Sequence, residues 1–237
     1  MPVTTLRAKA YRHLRNRLAS GQLTAGTQLI EPVLAKELGM SRTPVREALR
    51  QMEMEGFVEC FPRFGVVVRV PTRDELIEMF GMREALESYA VAEAAKKISD
   101  EQLTKMVKLQ SKMTEITATF EASGEEHLKG DLLNHYLMAD MAFHRQMFLS
   151  SGNGYMAKTI EDTHLLSRIF RNELWIYDLP TLEESNDFHA RIFQTLQQHD
   201  AEAARKIIIE AMQVAKRNVL KKYDEQQEKN ENDPYEI

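Results

Sequence analysis

The sequence of 237 residues predicts a mainly α-helical protein, with an N-terminal winged helix-turn-helix, a small β-hairpin wing and a C-terminal all-α bundle. Three observations lead to this fold class. Two short helical patterns are separated only by Gly39-Met40-Ser41, which is the length of the turn in a helix-turn-helix. Two β-rich runs then flank a turn that contains glycine. From Asp74 onward, apolar residues recur at helical spacing with almost no strand signal.

The segment Ser41–Gly56 predicts the second helix of the pair. Pro44 fits only in the first turn of a helix, so we expect Ser41 or Thr43 to be the N-cap. The helical period places four apolar residues on one face: Val45, Ala48, Leu49 and Met52. The adjoining exposed face then carries Thr43, Arg46 and Arg50, and Arg42 lies at the start of the helix. Arginines at the N-terminal end of a helix can form bidentate bonds to guanine in the major groove, whereas the alternative interpretation is an ordinary amphipathic helix with solvated arginines.

The neighbouring segments favour the interpretation as a DNA-binding unit. Glu31–Leu38 predicts the first helix of the pair, with Gly39 as its C-cap. The runs Phe57–Cys60 and Val66–Val70 predict the two strands of the wing, and Pro62–Gly65 its basic tip. We expect Arg63 and Gly65 in that tip to enter the minor groove beside the recognition helix. Upstream, one more helix is predicted by the apolar stripe Leu6, Ala10, Leu14 and Leu18.

The net charge of −5 conceals opposite charges in two parts of the chain. Residues 1–70 carry 11 Lys and Arg against 6 Asp and Glu, a net charge of +5, whereas the remainder carries 20 against 30, a net charge of −10. A basic head on an acidic body is typical of a duplex-binding module joined to a solvated sensor. The single cysteine, Cys60, excludes an intrachain disulfide and indicates a reducing compartment. No apolar run is long enough for a membrane span or a signal peptide, so we expect a cytoplasmic protein.

We predict a DNA-binding domain over residues 1–70, a linker over 71–73, a helical effector domain over 74–224 and a disordered tail over 225–237. The effector domain shows six helical patterns: Asp74–Lys97, Asp100–Glu121, Glu125–Ser150, Tyr155–Tyr177, Thr181–His199 and Ala201–Tyr223. The tail is expected to be disordered because EQQEKNENDP is almost entirely polar.

Three polar residues of the effector domain fall on predicted apolar faces. Asp140 and His144 lie one turn apart on the buried arc of their helix, and His189 lies on the apolar stripe of another. Burial of a carboxylate without a partner costs several kcal/mol, so Asp140 must be paired, hydrogen-bonded or bound to metal. An Asp-x-x-x-His pair with a third ligand from another helix suits a divalent cation, and the alternative is an Asp–His hydrogen bond without metal.

Several of these segments resemble a known family. The N-terminal region is similar to that of GntR-type bacterial transcriptional regulators in Gly21–Leu29, in Leu34-Ala35, in the specific string Ser41-Arg-Thr-Pro-Val-Arg-Glu-Ala-Leu49 and in Glu55–Val58. The remainder resembles the FCD branch of that family in Arg83–Glu87, Asp140–His144, Ser151–Asn153 and Phe188-His189 followed by Asp200.

The resemblance implies a metal cavity with one Asp and three His. Asp140, His144 and His189 match the first three ligands, but Ala211 stands where the third histidine is expected. The resemblance therefore implies a weakened site for zinc, nickel or manganese, or loss of the metal as in acyl-responsive members. His164 points only partly toward the apolar face of its helix and is a poor substitute.

The resemblance also assigns a role to Arg83, which would bind the carboxylate of an effector. The alternative is an ion pair within the chain, to an acid such as Glu87. A second-helix arginine that some members offer to DNA is absent here, because Glu31-Pro32 occupies its place.

We therefore predict a homodimeric transcription factor that binds double-stranded DNA, most simply a repressor released from a palindromic operator by a small organic acid. We do not expect an enzyme, because the sequence shows no convincing nucleophile, phosphate loop or oxyanion motif. Two alternatives are a metal-free regulator that responds to acyl thioesters, and a helical metalloenzyme that uses Asp140, His144 and His189 and carries a DNA-binding head.

Overall fold

The architecture comes from a computed structural model, which describes residues 5–171 and 177–232. The predicted fold class is confirmed: the described chain is mostly helical, with one small antiparallel sheet. It divides into two compact units, with the boundary between Thr72 and Arg73. Residues 165–171 are an exception, since they belong to the first unit.

The first unit begins with three helices and three strands: α1 (Leu6–Ala19), β1 (Gln28–Leu29), α2 (Glu31–Glu37), α3 (Arg42–Met54), β2 (Val58–Phe61) and β3 (Gly65–Val68). The strand order is β1-β3-β2, and both pairings are antiparallel. The hairpin β2–β3 is the predicted wing, whereas β1 was not predicted because two residues are too few to show a period.

The core of this unit forms where α1 packs against α3. Ala10, Leu14 and Leu18 of α1 are fully buried. On α3 the predicted apolar face is buried as well: Val45, Ala48, Leu49 and Met52. The predicted stripe of α1 is wrong at its first member, since Leu6 begins the helix and stays 53% exposed.

The helix-turn-helix has the predicted order, with small differences at its turn. Ser41 is the N-cap of α3 by position, but its side chain makes no capping hydrogen bond. The C-cap of α2 is Leu38 rather than Gly39. Gly39 follows in the left-handed region at φ 61°, which glycine adopts without a steric penalty.

The second unit is built from α4 (Arg73–Lys97), α5 (Asp100–Ser123), α6 (Gly130–Leu149), α7 (Gly154–Arg171), α8 (Leu179–Gln197) and α9 (Ala201–Asn232), with the end of α7 grouped as above. Helix α4 packs along α9, and α5 packs against α6 and α8. Helix α5 begins with the capping box of Ser99 and Gln102 and ends at left-handed Gly124. Arg73 binds Asp224 through two bonds of 2.8 and 3.1 Å, which joins the start of α4 to α9.

Two predicted boundaries in this unit were wrong. Helix α6 begins at Gly130 rather than Glu125, because Leu128 is buried and its N–H donates to the carbonyl of Tyr177 at 2.8 Å. Helix α9 continues to Asn232, through most of the segment 225–237 that was predicted to be disordered. Its Glu and Gln residues are good helix formers, and Lys221 reaches Glu225 one turn later at 3.8 Å. Residues 172–176 of the predicted fourth helix, and 233–237 of the predicted tail, lie outside the described residues.

In the described ranges, 5–171 and 177–232, we find no helix with both the length and the apolar character needed to cross a membrane.

Candidate nucleic-acid interface and buried histidine cluster

Helix α3 presents one polar face to solvent. The four residues that the sequence predicts for DNA contact are all exposed: Arg42, Thr43, Arg46 and Arg50. The side chains of Arg42 and Arg46 are 60% and 49% exposed. Since the opposite face is packed on α1, this helix can approach a groove only with its arginine face.

The tip of the wing depends on two residues with positive φ. Arg63 has φ 70° and Gly65 has φ 102°, so the chain reverses sharply between β2 and β3. Phe64 lies between them and is 63% exposed, and its carbonyl accepts a hydrogen bond from the Gln28 side chain. The tip is therefore attached to β1 while Arg63 remains at the surface.

Glu31, the first residue of α2, binds two arginines of the α3 face. Arg46 donates from Nε to both carboxylate oxygens at 3.2 Å and from Nη2 to Oε2 at 3.1 Å. Arg42 Nη2 lies 3.6 Å from the same oxygen. The hydrogen bonds from Arg46 hold the pKa of Glu31 below its usual value, although burial opposes this. From the sequence, Glu31 was considered only as a residue that stands where some family members have a DNA-contacting arginine. Its pairing with Arg46 was not predicted, because it depends on how α2 lies against α3.

The second unit brings the three predicted metal ligands together. His189 Nε2 of α8 lies 3.2 Å from Asp140 Oδ1 of α6 and 3.3 Å from His144 Nε2. His144 Nε2 lies 3.7 Å from the same Asp140 oxygen. The side chain of His189 is 1% exposed and that of His144 is 14% exposed, so both imidazoles are removed from bulk water.

This spacing fits a divalent cation. Ligand atoms about 2.0–2.2 Å from a tetrahedral ion lie about 3.3–3.6 Å from one another, close to the separations of these three donors. Burial lowers the pKa of His144 to about 3, although Asp140 opposes the shift, so the imidazole is neutral. A neutral imidazole is the form that binds metal. Ala211 of α9, half-buried beside the buried Ile208 and Met212, offers no ligand atom.

Aromatic rings hold the two histidines in place. His144 stacks on Phe148 and Phe188, with ring centroids 6.2 and 6.0 Å away. Phe143 meets His189 edge-on at 4.7 Å. The Nδ1 atoms of both histidines are buried without a hydrogen-bond partner. Ring packing, rather than an acceptor for the second nitrogen, therefore sets the orientation of these imidazoles.

Arg83 takes part in an ion pair inside the second unit. Its Nε donates to Glu87 Oε1 at 2.6 Å, and the two side chains are 5% and 0% exposed. His164 Nε2 lies 3.0 Å from the same Glu87 oxygen. Burial raises the pKa of Glu87, but the charges of Arg83 and His164 outweigh it and lower that pKa to about 2. Glu87 is thus ionised, and the alternative foreseen for Arg83, a pair with this acid, is the contact that the structure contains.

Comparison with known proteins agrees with the two units. Residues 6–68 match the bacterial regulatory proteins of the gntR family, and residues 78–214, more than half of the chain, match the FCD domain. The chain belongs to the GntR family of bacterial transcriptional regulators, in its FCD branch. Its relatives are regulators and not enzymes, so the hypothesis of a helical metalloenzyme was wrong.

Two relatives, each matched over more than four fifths of its length, and one solved structure illustrate the similarity. This GntR regulator is 26% identical over 201 residues to YdhC of Bacillus subtilis, an uncharacterised HTH-type transcriptional regulator, and the match covers 84% of each chain. It is 27% identical to a probable D-xylose utilization operon transcriptional repressor of Paenarthrobacter nicotinovorans, over 85% of this chain and 83% of that one. The structure of E. coli McbR/YncC has a TM-score of 0.78 at 23% identity, covering 92% of this chain and 99% of that one, which shows a shared fold.

Beside the pairing of Glu31, two further features of the regulator's sites could not be predicted from the sequence. His164 joins the Arg83–Glu87 pair, and its ring lies 5.2 Å from that of His144, but it faces Glu87 rather than the three-donor cluster. The other feature is the pair of buried, unsatisfied Nδ1 atoms. Neither has a signal in the sequence, because both depend on the packing of separate helices.

Proposed function

We propose that this GntR-family regulator represses transcription as a homodimer bound to a palindromic operator, and that a small carboxylate effector in the second unit releases it. The observation that carries the proposal is the convergence of Asp140, His144 and His189 within the FCD unit of a chain whose first unit has an arginine-bearing helix. We take residues 1–70 as the DNA-binding domain, 71–73 as the linker and 74–224 as the effector domain.

On DNA, the α3 face would lie in the major groove. Arg42 and Arg46 would contact guanine edges or phosphates, with Thr43 and Arg50 beside them. Arg63 and Gly65 at the wing tip would enter the neighbouring minor groove. A single recognition helix contacts too few bases for useful selectivity, and two-fold pairing of subunits is the usual remedy. This supports a dimer and a palindromic operator.

Asp140, His144 and His189 would hold a divalent cation. When bound, the cation supplies a positive charge and open coordination positions for the carboxylate of an effector. Because Ala211 leaves the set at three protein ligands, water or the effector would complete it. Such a site binds metal more weakly alone than with the acid, so metal and effector should each strengthen binding of the other.

Arg83 would assist the same carboxylate only by leaving Glu87. The pair is buried, so Arg83 would need another carboxylate in place of Glu87. A guanidinium can bind a carboxylate through two hydrogen bonds, so the acid of the effector would replace Glu87 on Arg83. Repression, rather than activation, is supported by the name of the relative from Paenarthrobacter nicotinovorans, a probable repressor.

Calorimetry on metal-stripped protein tests the effector site. Zinc, nickel and manganese are titrated with and without a panel of small organic acids. Metal affinity should rise when a productive acid is present. His144→Ala should weaken metal binding and the acid response together, whereas Ala211→His should tighten metal binding by supplying a fourth ligand. His135, exposed on α6, gives the matched control, because His135→Ala removes an imidazole outside the cluster.

A second measurement connects the site to DNA. The wild-type protein is used to enrich duplexes from a random library, and the enriched duplex is then titrated with and without the acid that strengthens metal binding. Release of the duplex by that acid, lost in His144→Ala but kept in His135→Ala, is the expected result. An unaltered response in His144→Ala, with no metal bound by native protein, would leave the cluster as core hydrogen-bonding groups only.

A further inference from the structure

Without DNA, the arginine face of α3 is bound to the carboxylate of Glu31. Glu31 accepts three hydrogen bonds from Arg46 and lies within 3.6 Å of Arg42. Its side chain is only 21% exposed, against 49% for Arg46. The carboxylate is therefore the more buried partner, and the guanidinium is the one that faces solvent.

Two features keep Glu31 charged and in place. It is the first residue of α2, where the helix dipole favours a negative charge, and Pro32 follows it in the first turn. Pro32 restricts the backbone at this position, and the bonds to Arg46 hold the carboxylate against α3.

The geometry leaves part of Arg46 available. A guanidinium has five N–H donors, and Glu31 accepts from the single N–H of Nε and from one N–H of Nη2. Both hydrogens of Nη1 and one of Nη2 remain. Those two nitrogens together can form the bidentate contact to guanine O6 and N7. A base contact can therefore form without breaking the pair with Glu31.

We propose that Glu31 is a specificity-determining residue, which orients Arg46 toward base edges and denies its charge to phosphates of non-operator DNA. This inference rests on the proposed function, since it assumes that α3 binds an operator. The free donors of Arg46 could also reach a phosphate, but its charge is already neutralised by Glu31, so a phosphate contact brings little electrostatic gain. In the operator complex the pair and the base contact persist together.

The consequence is a difference between two affinities. Glu31→Gln keeps the shape of the side chain and removes its charge, so Arg46 can bind phosphates on any sequence. Affinity for a random duplex should rise about five- to tenfold at 0.1 M salt for each recognition helix engaged, with the salt dependence steeper by about 0.9. Affinity for the operator should change much less, so the ratio of the two falls.

The test uses full-length protein and two 40-bp duplexes, one enriched by the wild type from a random library and one of random sequence. Wild type, Glu31→Gln and Glu47→Gln are titrated with both duplexes between 50 and 300 mM KCl. Glu47 is an exposed acid of α3, the helix that carries Arg46, and the described part of the structure gives it no ion pair. Its replacement matches the change in net charge. Thermal unfolding checks that each variant is folded.

The outcomes separate the two proposals. If the wild type enriches no duplex, the proposed function fails and this inference fails with it. If the wild type is selective but Glu31→Gln and Glu47→Gln behave alike, the inference alone is overturned. A changed base preference at one position of the selected sequence, with unaltered salt dependence, would also overturn it, because Glu31 would then contact cytosine itself.

A double-mutant cycle assigns the effect to Arg46. The extra affinity that Glu31→Gln confers on the random duplex should vanish in an Arg46→Gln background, because the released charge is then absent. Retention of the whole gain in that background would overturn the assignment.

Discussion

Two of the regulator's Arg–Glu pairs differ mainly in their access to water. Arg46 and Glu31 lie at the surface of the first unit, whereas Arg83 and Glu87 are buried in the second. The exposed pair is screened by solvent and can exchange partners at little cost. The buried pair can exchange only if another carboxylate takes the place of Glu87, because either charge left alone in the interior would be desolvated without compensation. In our proposal the exposed pair serves selection among DNA sequences, whereas the buried pair stabilises the helical unit.

Removal of one member of the buried pair should have the largest effect, and it should appear in the free energy of unfolding. Glu87→Ala should lower the free energy of unfolding by about 3–5 kcal/mol, because it leaves the Arg83 guanidinium buried without its carboxylate. Urea unfolding followed by circular dichroism measures this. The double replacement Arg83→Met with Glu87→Leu should recover most of the loss. Near-wild-type stability of Glu87→Ala alone would show that the pair is not needed for folding.

The buried pair also makes a prediction about pH. The pKa of Glu87 is about 2 in the folded state against an ordinary 4.5, so the unfolded chain binds more protons between these values. The contribution of Glu87, about 3 kcal/mol, is complete above pH 4.5 and is lost as the pH falls toward 2. Unfolding of wild type and Glu87→Gln is compared across this window. The wild type should lose more stability than the variant, and parallel curves would contradict the ionised Glu87.

At the exposed pair, removal of the arginine should affect binding rather than folding. Arg46→Ala should weaken binding to the enriched duplex about 5- to 150-fold, the usual range for a lost bidentate base contact. Anisotropy titrations at matched salt measure it. Arg205→Ala, an exposed arginine on α9, gives a control of equal charge in the other unit. Unchanged operator binding by Arg46→Ala would contradict the assignment of α3 as the recognition helix.

The smallest expected effect is that of Glu31→Gln on stability. Because its partners Arg46 and Arg42 are largely solvated, the urea midpoint should stay close to that of the wild type. A loss as large as that of Glu87→Ala would mean that the two pairs play the same structural role, and the contrast between them would disappear.

The sequence predicted what depends on local pattern. The buried and exposed faces of α3 follow from the helical period, and Asp140 and His144 are one turn apart on a single helix, so their proximity needed no tertiary knowledge. The i,i+4 pair of Arg83 and Glu87 was foreseen as an alternative for the same reason.

What the sequence could not predict depends on contacts between elements. The pair of Arg46 with Glu31 requires the angle at which α2 lies against α3. His164 joins Glu87 across 77 positions of sequence, and no period connects them. Strand β1 exists only because Gln28 and Leu29 meet β3. In each case the packing of separate segments decides the contact.

The Arg73–Asp224 pair joins the first residue of the helical unit to its last helix. The chain enters this unit at Arg73, and its last described helix passes Asp224 eight residues before ending at Asn232; the two side chains meet at 2.8 Å. Entry and exit therefore share one location, as in domains that tolerate circular permutation. In a circular permutant of this unit alone, its two ends could be joined there and new ends opened in the exposed segment 124–127, before the buried Leu128. A reporter fused behind α9 would begin about two helical turns from the point where the chain enters the unit, since residues 225–232 extend α9 by eight positions of about 1.5 Å each.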